Sequence, residues 1–349
     1  MDDIKQAIQA VVEGQDLSMA DAAAAMGVIM DGDATPAQFG AFVTALRMKS
    51  ETSAEIAGMA QGMRERSLHV DVDGPVTDIC GTGGTGQNEF NISTTAAFIA
   101  AGAGLKVAKH GNRSASGAFG AADGLEALGV KIDLGPDGVK RCLDEVGVAF
   151  MFAQAFHPSM RHAAPLRPQI GIRTVFNILG PITNPAGAQN QVIGVALPEL
   201  ALKMAEALAL LGTNHVLLVH GSDGSDKISV SGNTQVWEVI EGQVKKNRTR
   251  PADFNQPEGD SAHIRVNSVE QSVELIRGVL NGEGGGHNAP PSVERSARIV
   301  AIINAAAALY AGGLASSYNE AGAMAAKSVD SGAAALKLDE LIKVSNESA

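Results

Sequence analysis

Between Gly81 and Thr94 the residue types crowd toward one chemistry. Four glycines stand within six residues (Gly81, Gly83, Gly84, Gly86), with the apolar Val76, Ile79 and Cys80 before them and Ser93, Thr94 and Thr95 after, leading into an alanine-rich stretch. That order reads as strand, tight loop and helix start. Glycine admits positive φ and lets the backbone approach a ligand closely, while a helix start turns unpaired N–H groups and a positive dipole end toward whatever lies there. The natural occupant is a phosphate, and a purely structural turn is the plainer alternative. The spacing matches neither GxxxxGK[ST] nor GxGxxG, so nucleoside triphosphates and dinucleotides lose their best sequence support.

A second concentration of chemistry follows at Lys109-His110-Gly111-Asn112-Arg113-Ser114-Ala115-Ser116-Gly117. In a chain of net charge −11, this basic, glycine-flanked island reads as an anion contact, carried above all by Lys109 and Arg113. His110 alone reads equally well as a structural histidine. Arg167, near Arg161 and Arg173 in a proline-bounded segment, reads on its own as a surface salt-bridge arginine.

These residues need a scaffold, and the whole chain bounds what it can be. At 349 residues, two domains are the expectation. Composition is 45% hydrophobic, 19% charged and 4% aromatic, and the 40 glycines exceed the usual share of about 7%, which suggests many tight βα turns. A pI near 5.2 disfavours nucleic acid and anionic membranes as partners. Cys80 and Cys142 form no disulfide framework and no metal spacing, consistent with a reducing cytoplasm. The acidic amphipathic start MDDIKQAIQAVVEG is unlike a signal peptide, and the apolar stretch Ala297 to Ala315 contains Arg298 and Asn304 and reads as a buried helix, not a membrane span.

Residues 1 to about 68 read as four helices, with capping-box pairs Ser18/Asp21, Thr35/Gln38 and Thr52/Glu55. From Val76, short β-like runs alternate with helices. Strands are expected at Val76–Cys80, Lys106–Lys109, Val148–Phe152, Gln191–Ala196 and His215–His220. Helices are expected at Thr95–Ala103, Pro136–Val146, Pro198–Leu211, Val269–Leu280 and across Pro290 to Ala315, with a hairpin at Thr234–Val244. The expected architecture is α/β: a small N-terminal helical domain (1–69) and a larger domain (70–349) with a mainly parallel sheet flanked by helices. The proline-rich piece 157–185 is expected to fold back onto the N-terminal helices. Ligands in such sheets bind beyond the carboxyl ends of the strands, where both chemical segments fall.

With GTGG, FNIST, KHGNR, AxxLEALG, HPSMRHAAPLR and FNILGPITNPA in this order, the chain resembles the anthranilate phosphoribosyltransferase family over nearly its whole length. The resemblance implies a class IV phosphoribosyltransferase fold, similar to nucleoside phosphorylases. It implies transfer of phosphoribose from phosphoribosyl pyrophosphate (PRPP) to the amine of anthranilate in tryptophan biosynthesis, with Mg2+, in a cytoplasmic homodimer paired through the helical domain. It places Gly81, Gly83, Gly84, Thr85, Glu89, Asn91, Ser93, Thr94, Lys109, Gly111, Asn112, Arg113, Ser114, Ala115, Ser116, Gly117 and Ala121 around PRPP. Gly81, His110, Asn112 and Arg167 fall near anthranilate, and Ser93 and Asp226 at metal. No nucleophile or general base is implied, since transfer through an oxocarbenium-like state rests on positioning and charge.

Departures from the family pattern gather in the donor half. Thr85 stands where the family has aspartate, Glu89 where it commonly has threonine, and Gly117 and Ala121 where it has serines. Lys227, beside Asp226 in GSDGSDKIS, replaces the second metal-binding carboxylate. Fewer metal ions than usual follow as an expectation, with Lys227 standing in for one. Two other readings stay open at this point: a nucleoside-phosphorylase-like enzyme with another donor, and a diverged binding protein without catalysis.

Overall fold

The computed structural model describes residues 4–113, 119–285 and 290–347. Four helices come first: α1 (Ile4–Val12), α2 (Met19–Asp31), α3 (Pro36–Lys49) and α4 (Ser53–Arg64). All three expected caps form. Ser18 Oγ accepts the Asp21 N–H, and Thr35 and Thr52 make reciprocal capping boxes with Gln38 and Glu55. Glu55 is wholly buried, and its carboxylate takes the N–H groups of Leu17 and Thr52 and the Lys49 ammonium at 2.9, 2.8 and 3.0 Å, so burying it leaves nothing unpaired.

From Thr77 the chain alternates β1 (Thr77–Gly81), α5 (Ile92–Gly102), β2 (Val107–Gly111), α6 (Ala121–Leu128), α7 (Pro136–Glu145) and β3 (Val148–Phe152). Three short helices follow, α8 (Ala153–Phe156), α9 (Arg167–Ile170) and α10 (Phe176–Leu179). Then come β4 (Asn190–Gly194), α11 (Pro198–Leu210), β5 (His215–Gly221), and the hairpin β6 (Thr234–Ile240) and β7 (Gln243–Thr249). Helices α12 (Val269–Leu280), α13 (Val293–Ala311), α14 (Tyr318–Asp330) and α15 (Ala333–Glu347) complete the described chain.

The strands form one sheet in the order β3-β2-β1-β4-β5-β6-β7, parallel up to β5 and antiparallel beyond it. The chain winds outward from β1 to β3, then returns to lay β4 on the other side of β1. That reversal opens a crevice at the carboxyl ends of β1 and β4, the place where such sheets receive ligands. Gly81 and Gly194 are register partners at this edge.

Alternate residues of β4 and β5 enter different cores. Val192, Leu217 and Val219 join α5 and the C-terminal helices, while Ile193, Val216 and Leu218 join α11 and the N-terminal helices. Segment 157–185 contributes Ala163, Phe176, Leu179 and Ile182 to the second core; the Phe39 and Phe176 rings lie 5.5 Å apart, and the Arg64 guanidinium donates to Ile182 O.

Several boundaries differ from the sequence reading. α5 begins at Ile92 instead of Thr95, so Ser93 and Thr94 lie in its first turn; β1 and β2 run on to Gly81 and Gly111 because ladder pairing continues into the glycines. α13 occupies only Val293–Ala311 of the stretch expected to be helical, starting at the Ser292 cap and ending before Gly312-Gly313. Helices α6, α8, α14 and α15 carried no expectation, although Ser317 caps α14 with Glu320 in its first turn, the same start signal that marks α4.

At the centre of α13, buried Asn304 accepts the Ile228 N–H at 3.1 Å and donates to Ile228 O at 3.2 Å and Val300 O at 2.8 Å. It thereby fixes the connection that carries Asp226 and Lys227. Asn304→Ala is expected to destabilise the fold by about 2–3 kcal/mol through unpaired buried backbone groups, read as a lowered urea midpoint. Unchanged stability would show that the connection is held elsewhere.

Candidate functional site

The glycine loop crosses the crevice mouth in left-handed backbone: φ is +62° at Gly83, +77° at Gly84 and +73° at Gly86. It is held from the far side of β4. Asp226, on the connection after β5, accepts the Gly83 N–H on Oδ2 at 3.0 Å. The approach leaves no room for side chains, since a Cβ on Gly81 would lie 2.5 Å from Asp226 Oδ2 and one on Gly194 only 1.5 Å from Asp226 O. Thr85 Oγ1 accepts the Gln87 N–H, Gln87 donates to Asp223 O, and Arg173 donates to Gly84 O.

Asp226 pairs with its neighbour as well. The Lys227 ammonium donates to Asp226 Oδ1. Burial works to raise the Asp226 pKa, but the Lys227 charge, its hydrogen bond and the Gly83 N–H outweigh it and hold the carboxyl below its ordinary value. Burial likewise works against the Lys227 charge, and Asp226 and Glu89 overcome it, leaving the ammonium above its ordinary pKa. Glu89 Oε2 accepts from Ser225 Oγ at 3.0 Å, its Oε1 is buried without a partner, and burial pushes its pKa up.

On the β2 side, buried Lys109 donates to Ile79 O at 2.6 Å and Ser93 Oγ at 3.1 Å. Burial pulls its pKa down and that of Asp78 up, and each charge is the strongest influence opposing the other's shift. Asp78 takes the His110 N–H and Asn184 Nδ2. Asn91, at the start of α5, makes no cap; its side chain instead donates to Gly120 O and accepts from Ser272 Oγ. The Thr94 hydroxyl is buried without a partner.

Two neutral imidazoles complete this edge. Burial drives His110 down to about 3 and His157 to about 4, and their rings lie 5.1 Å apart. His110 Nδ1 lies 3.2 Å from Gly180 O, which assigns the proton to Nδ1 and leaves Nε2 a bare acceptor, buried and without a partner. Asn112 Oδ1 accepts the Arg113 N–H, and Asn112 O the N–H of Ala122, next to Ala121 at the first turn of α6; a Cβ on Gly111 would press on Phe150.

Arg113 pairs with Asp123 and Glu126 and lies over Phe152, beside a cavity of about 410 Å³. Arg167 is half-buried over the Phe176 ring, 5.8 Å from its centroid. The expected contacts Ser114, Ala115, Ser116 and Gly117 lie outside the described residues. Sequence reasoning gave no role to His157, Ser225 or Asn184. Each lay in a quoted segment, His157 in HPSMRHAAPLR, Asn184 in FNILGPITNPA and Ser225 in GSDGSDKIS, but nothing local marked the individual residue.

Comparison with known proteins gives a consistent result. Residues 5–67 match the helical bundle domain of the glycosyl transferase family, and residues 73–335 match its a/b domain. Anthranilate phosphoribosyltransferase of Chloroflexus aurantiacus is 53% identical over 343 residues, 98% of each chain. The crystal structure of anthranilate phosphoribosyltransferase from Thermus thermophilus shares 37% identity at a TM-score of 0.89, covering 99% of this chain and 100% of that one. The Saccharomyces cerevisiae enzyme, solved in complex with PRPP and Mg, shares 27% identity at a TM-score of 0.88, covering 99% and 98%.

The histidine pair has a consequence for acid stability. An unfolded histidine titrates near 6.5, so below that pH the unfolded chain takes up protons that the folded pair refuses. The contribution is whole above about pH 6.5 and falls away as pH drops toward about 4. At about 1.4 kcal/mol per unit, each histidine removes about 2 kcal/mol between pH 7 and pH 5. Urea unfolding at the two pH values is expected to show a loss smaller by that amount in His157→Gln. Equal losses in variant and parent would contradict the buried neutral assignment.

Proposed function

The chain belongs to the anthranilate phosphoribosyltransferase family, and from that premise we propose how its own residues carry the reaction. It transfers the 5-phosphoribosyl group of PRPP to the amine of anthranilate and releases pyrophosphate, a step of tryptophan biosynthesis. The observation that carries this reading is the 53% identity across 98% of both chains, in a protein whose glycine loop spans the sheet's crevice. In the reaction the bond from the anomeric carbon to pyrophosphate breaks, a bond to the amine nitrogen forms, and the proton that the nitrogen loses passes to solvent water.

The donor diphosphate lies against the loop of Gly81, Gly83, Gly84 and Thr85 and the first turn of α5, with Asn91, Ser93, Thr94 and Lys109 beneath it. The positive φ values at Gly83 and Gly84, their exposure, and the absence of a side-chain cap on α5 support this placement: with the Gly83 N–H given to Asp226, the exposed loop backbone after it and the dipole end of α5 are there to meet anionic oxygens. Fixed donors of this kind stabilise the charge that grows on departing pyrophosphate. Arg167 pairs with the anthranilate carboxylate; its half-buried guanidinium, set over Phe176, favours a planar bidentate partner. His110 lies on the acceptor side with its Nε2 buried, while Asn112 lines the space between donor and acceptor. As a neutral ring, His110 adds no repulsion to the cationic sugar.

Mg2+ accompanies PRPP in the S. cerevisiae complex, and in the same reaction such an ion, bound with the donor, would neutralise diphosphate charge. Among the described residues, no three His, Cys, Asp or Glu side chains are grouped to hold a metal. Ser93 and Asp226, the expected protein ligands, each already accept a lysine ammonium. That pair does not fit a metal cage built by the protein.

We further propose that the 1–69 helices, joined by 157–185, form a unit through which two copies pair, with 70–349 as the transferase domain. Val12 and Met48, 63% and 83% exposed on α1 and α3, support a partner surface there. No described helix is long and apolar enough to cross a membrane, and the phosphorylated substrate suits a cytoplasmic reaction.

The reaction is tested by consumption of anthranilate with PRPP across a Mg2+ titration, and its absence at every concentration would contradict the assignment. Arg167→Ala is expected to raise KM for anthranilate at least tenfold, a charged hydrogen bond being worth roughly 1.5–3 kcal/mol, while KM for PRPP stays within about threefold. An equal effect on both would point to a folding role. A Cβ on Gly83 meets no protein atom within 4 Å, so Gly83→Ala is expected to cost about 1–2 kcal/mol of backbone strain but to weaken PRPP by about tenfold or more. An unchanged Kd in calorimetry would remove the diphosphate from this loop.

A further inference from the structure

Two lysine ammoniums lie at the carboxyl edge of the sheet, Lys109 buried and Lys227 partly so, and they contact the two side chains that the family resemblance makes metal ligands. Lys109 donates to Ser93 Oγ from β2, and Lys227 donates to Asp226 Oδ1 from the connection after β5. The second oxygen of Asp226 takes the Gly83 N–H. Asp226 therefore has both oxygens engaged and its charge balanced by the polypeptide alone. Glu89 is tied to the same connection, its Oε2 accepting from Ser225 Oγ, the residue before Asp226. A divalent ion needs carboxylate oxygens free to coordinate, and an ammonium carries donors only. Lys227 and Asp226 have side chains only 18% and 7% exposed, so the ammonium is not a solvated surface charge that could swing away freely.

Resting on the transferase reading, we propose that Lys227 is a built-in counter-cation for the donor. Clamped by Asp226, which also holds the glycine loop through the Gly83 N–H, its ammonium supplies the positive charge that a second metal ion would otherwise bring to the PRPP diphosphate. PRPP then binds with one divalent ion, carried on its own oxygens. Loss of Lys227 leaves Asp226 and Glu89 as uncompensated carboxylates facing an anionic ligand, and a carboxylate in its place turns the cluster into a metal site.

The test counts Mn2+ by electron paramagnetic resonance on the full chain saturated with PRPP. It is paired with calorimetric PRPP affinity at one equivalent of Mn2+ per PRPP. The expected result is one tightly bound ion per wild-type chain and two in Lys227→Glu, with the PRPP Kd raised at least tenfold in Lys227→Ala. Two tight ions in wild type, or an unchanged Kd in a Lys227→Ala protein whose melting temperature matches the parent, overturns the proposal. If Lys227→Ala does not fold, the wild-type count decides alone. Anthranilate consumption by wild type is followed alongside. Turnover with two tight ions removes this inference and leaves the transferase reading standing, whereas no PRPP binding at any Mn2+ concentration removes both.

Discussion

Asp226 reaches from the connection after β5 across the carboxyl end of β4 to the loop that follows β1, and its carboxylate joins the Gly83 N–H to the Lys227 ammonium. The reach is possible only because Gly81 and Gly194 present bare backbone to it. The placement of the loop over the paired ends of β1 and β4 and the position of Lys227 both depend on this contact. A buried carboxylate with hydrogen bonds on both oxygens is stable where a half-satisfied one would be costly, and removing either partner leaves a charge uncompensated. Asn304 supports the arrangement from the central helix by fixing Ile228, one residue beyond Lys227.

Charge at this edge is arranged in opposed pairs inside an acidic protein. Asp78 faces Lys109, Asp226 faces Lys227, and the two histidines between the strand ends and segment 157–185 are kept neutral by burial. The local field is set by fixed groups and the surplus of acidic side chains elsewhere has little influence on it, since exposed charges beyond about 10 Å are screened by salt. Arg113 illustrates the limit of reading charge from composition. Its flanking glycines mark an anion contact, while the partners the fold gives it are Asp123 and Glu126.

Local chemistry was legible wherever a residue's role is set within a few positions of it. Ser18, Thr35 and Thr52 announced their helices because cap and first turn are neighbours in sequence. The strand–glycine–helix order was legible for the same reason, and the motif resemblance extended it to the whole chain. What could not be read was pairing over distance. Nothing near Gly83 indicates that its N–H belongs to Asp226, 143 residues on, and nothing near His110 indicates the ring of His157. Strand ends shifted by one or two residues because ladder pairing, not apolar pattern, decides where β1 and β2 stop. Helices α14 and α15 went unassigned because alanine-rich segments bury well without a strong apolar stripe.

The central claim is that the backbone of residues 81–95, braced by Asp226, receives the diphosphate of the donor. Its most direct measurement is amide hydrogen exchange of the peptides covering residues 81–95, with and without PRPP and Mg2+. Slowed exchange confined mainly to this loop and the first turn of α5 is the expected result. Unchanged exchange there, in a protein saturated with PRPP and turning over anthranilate, would contradict it.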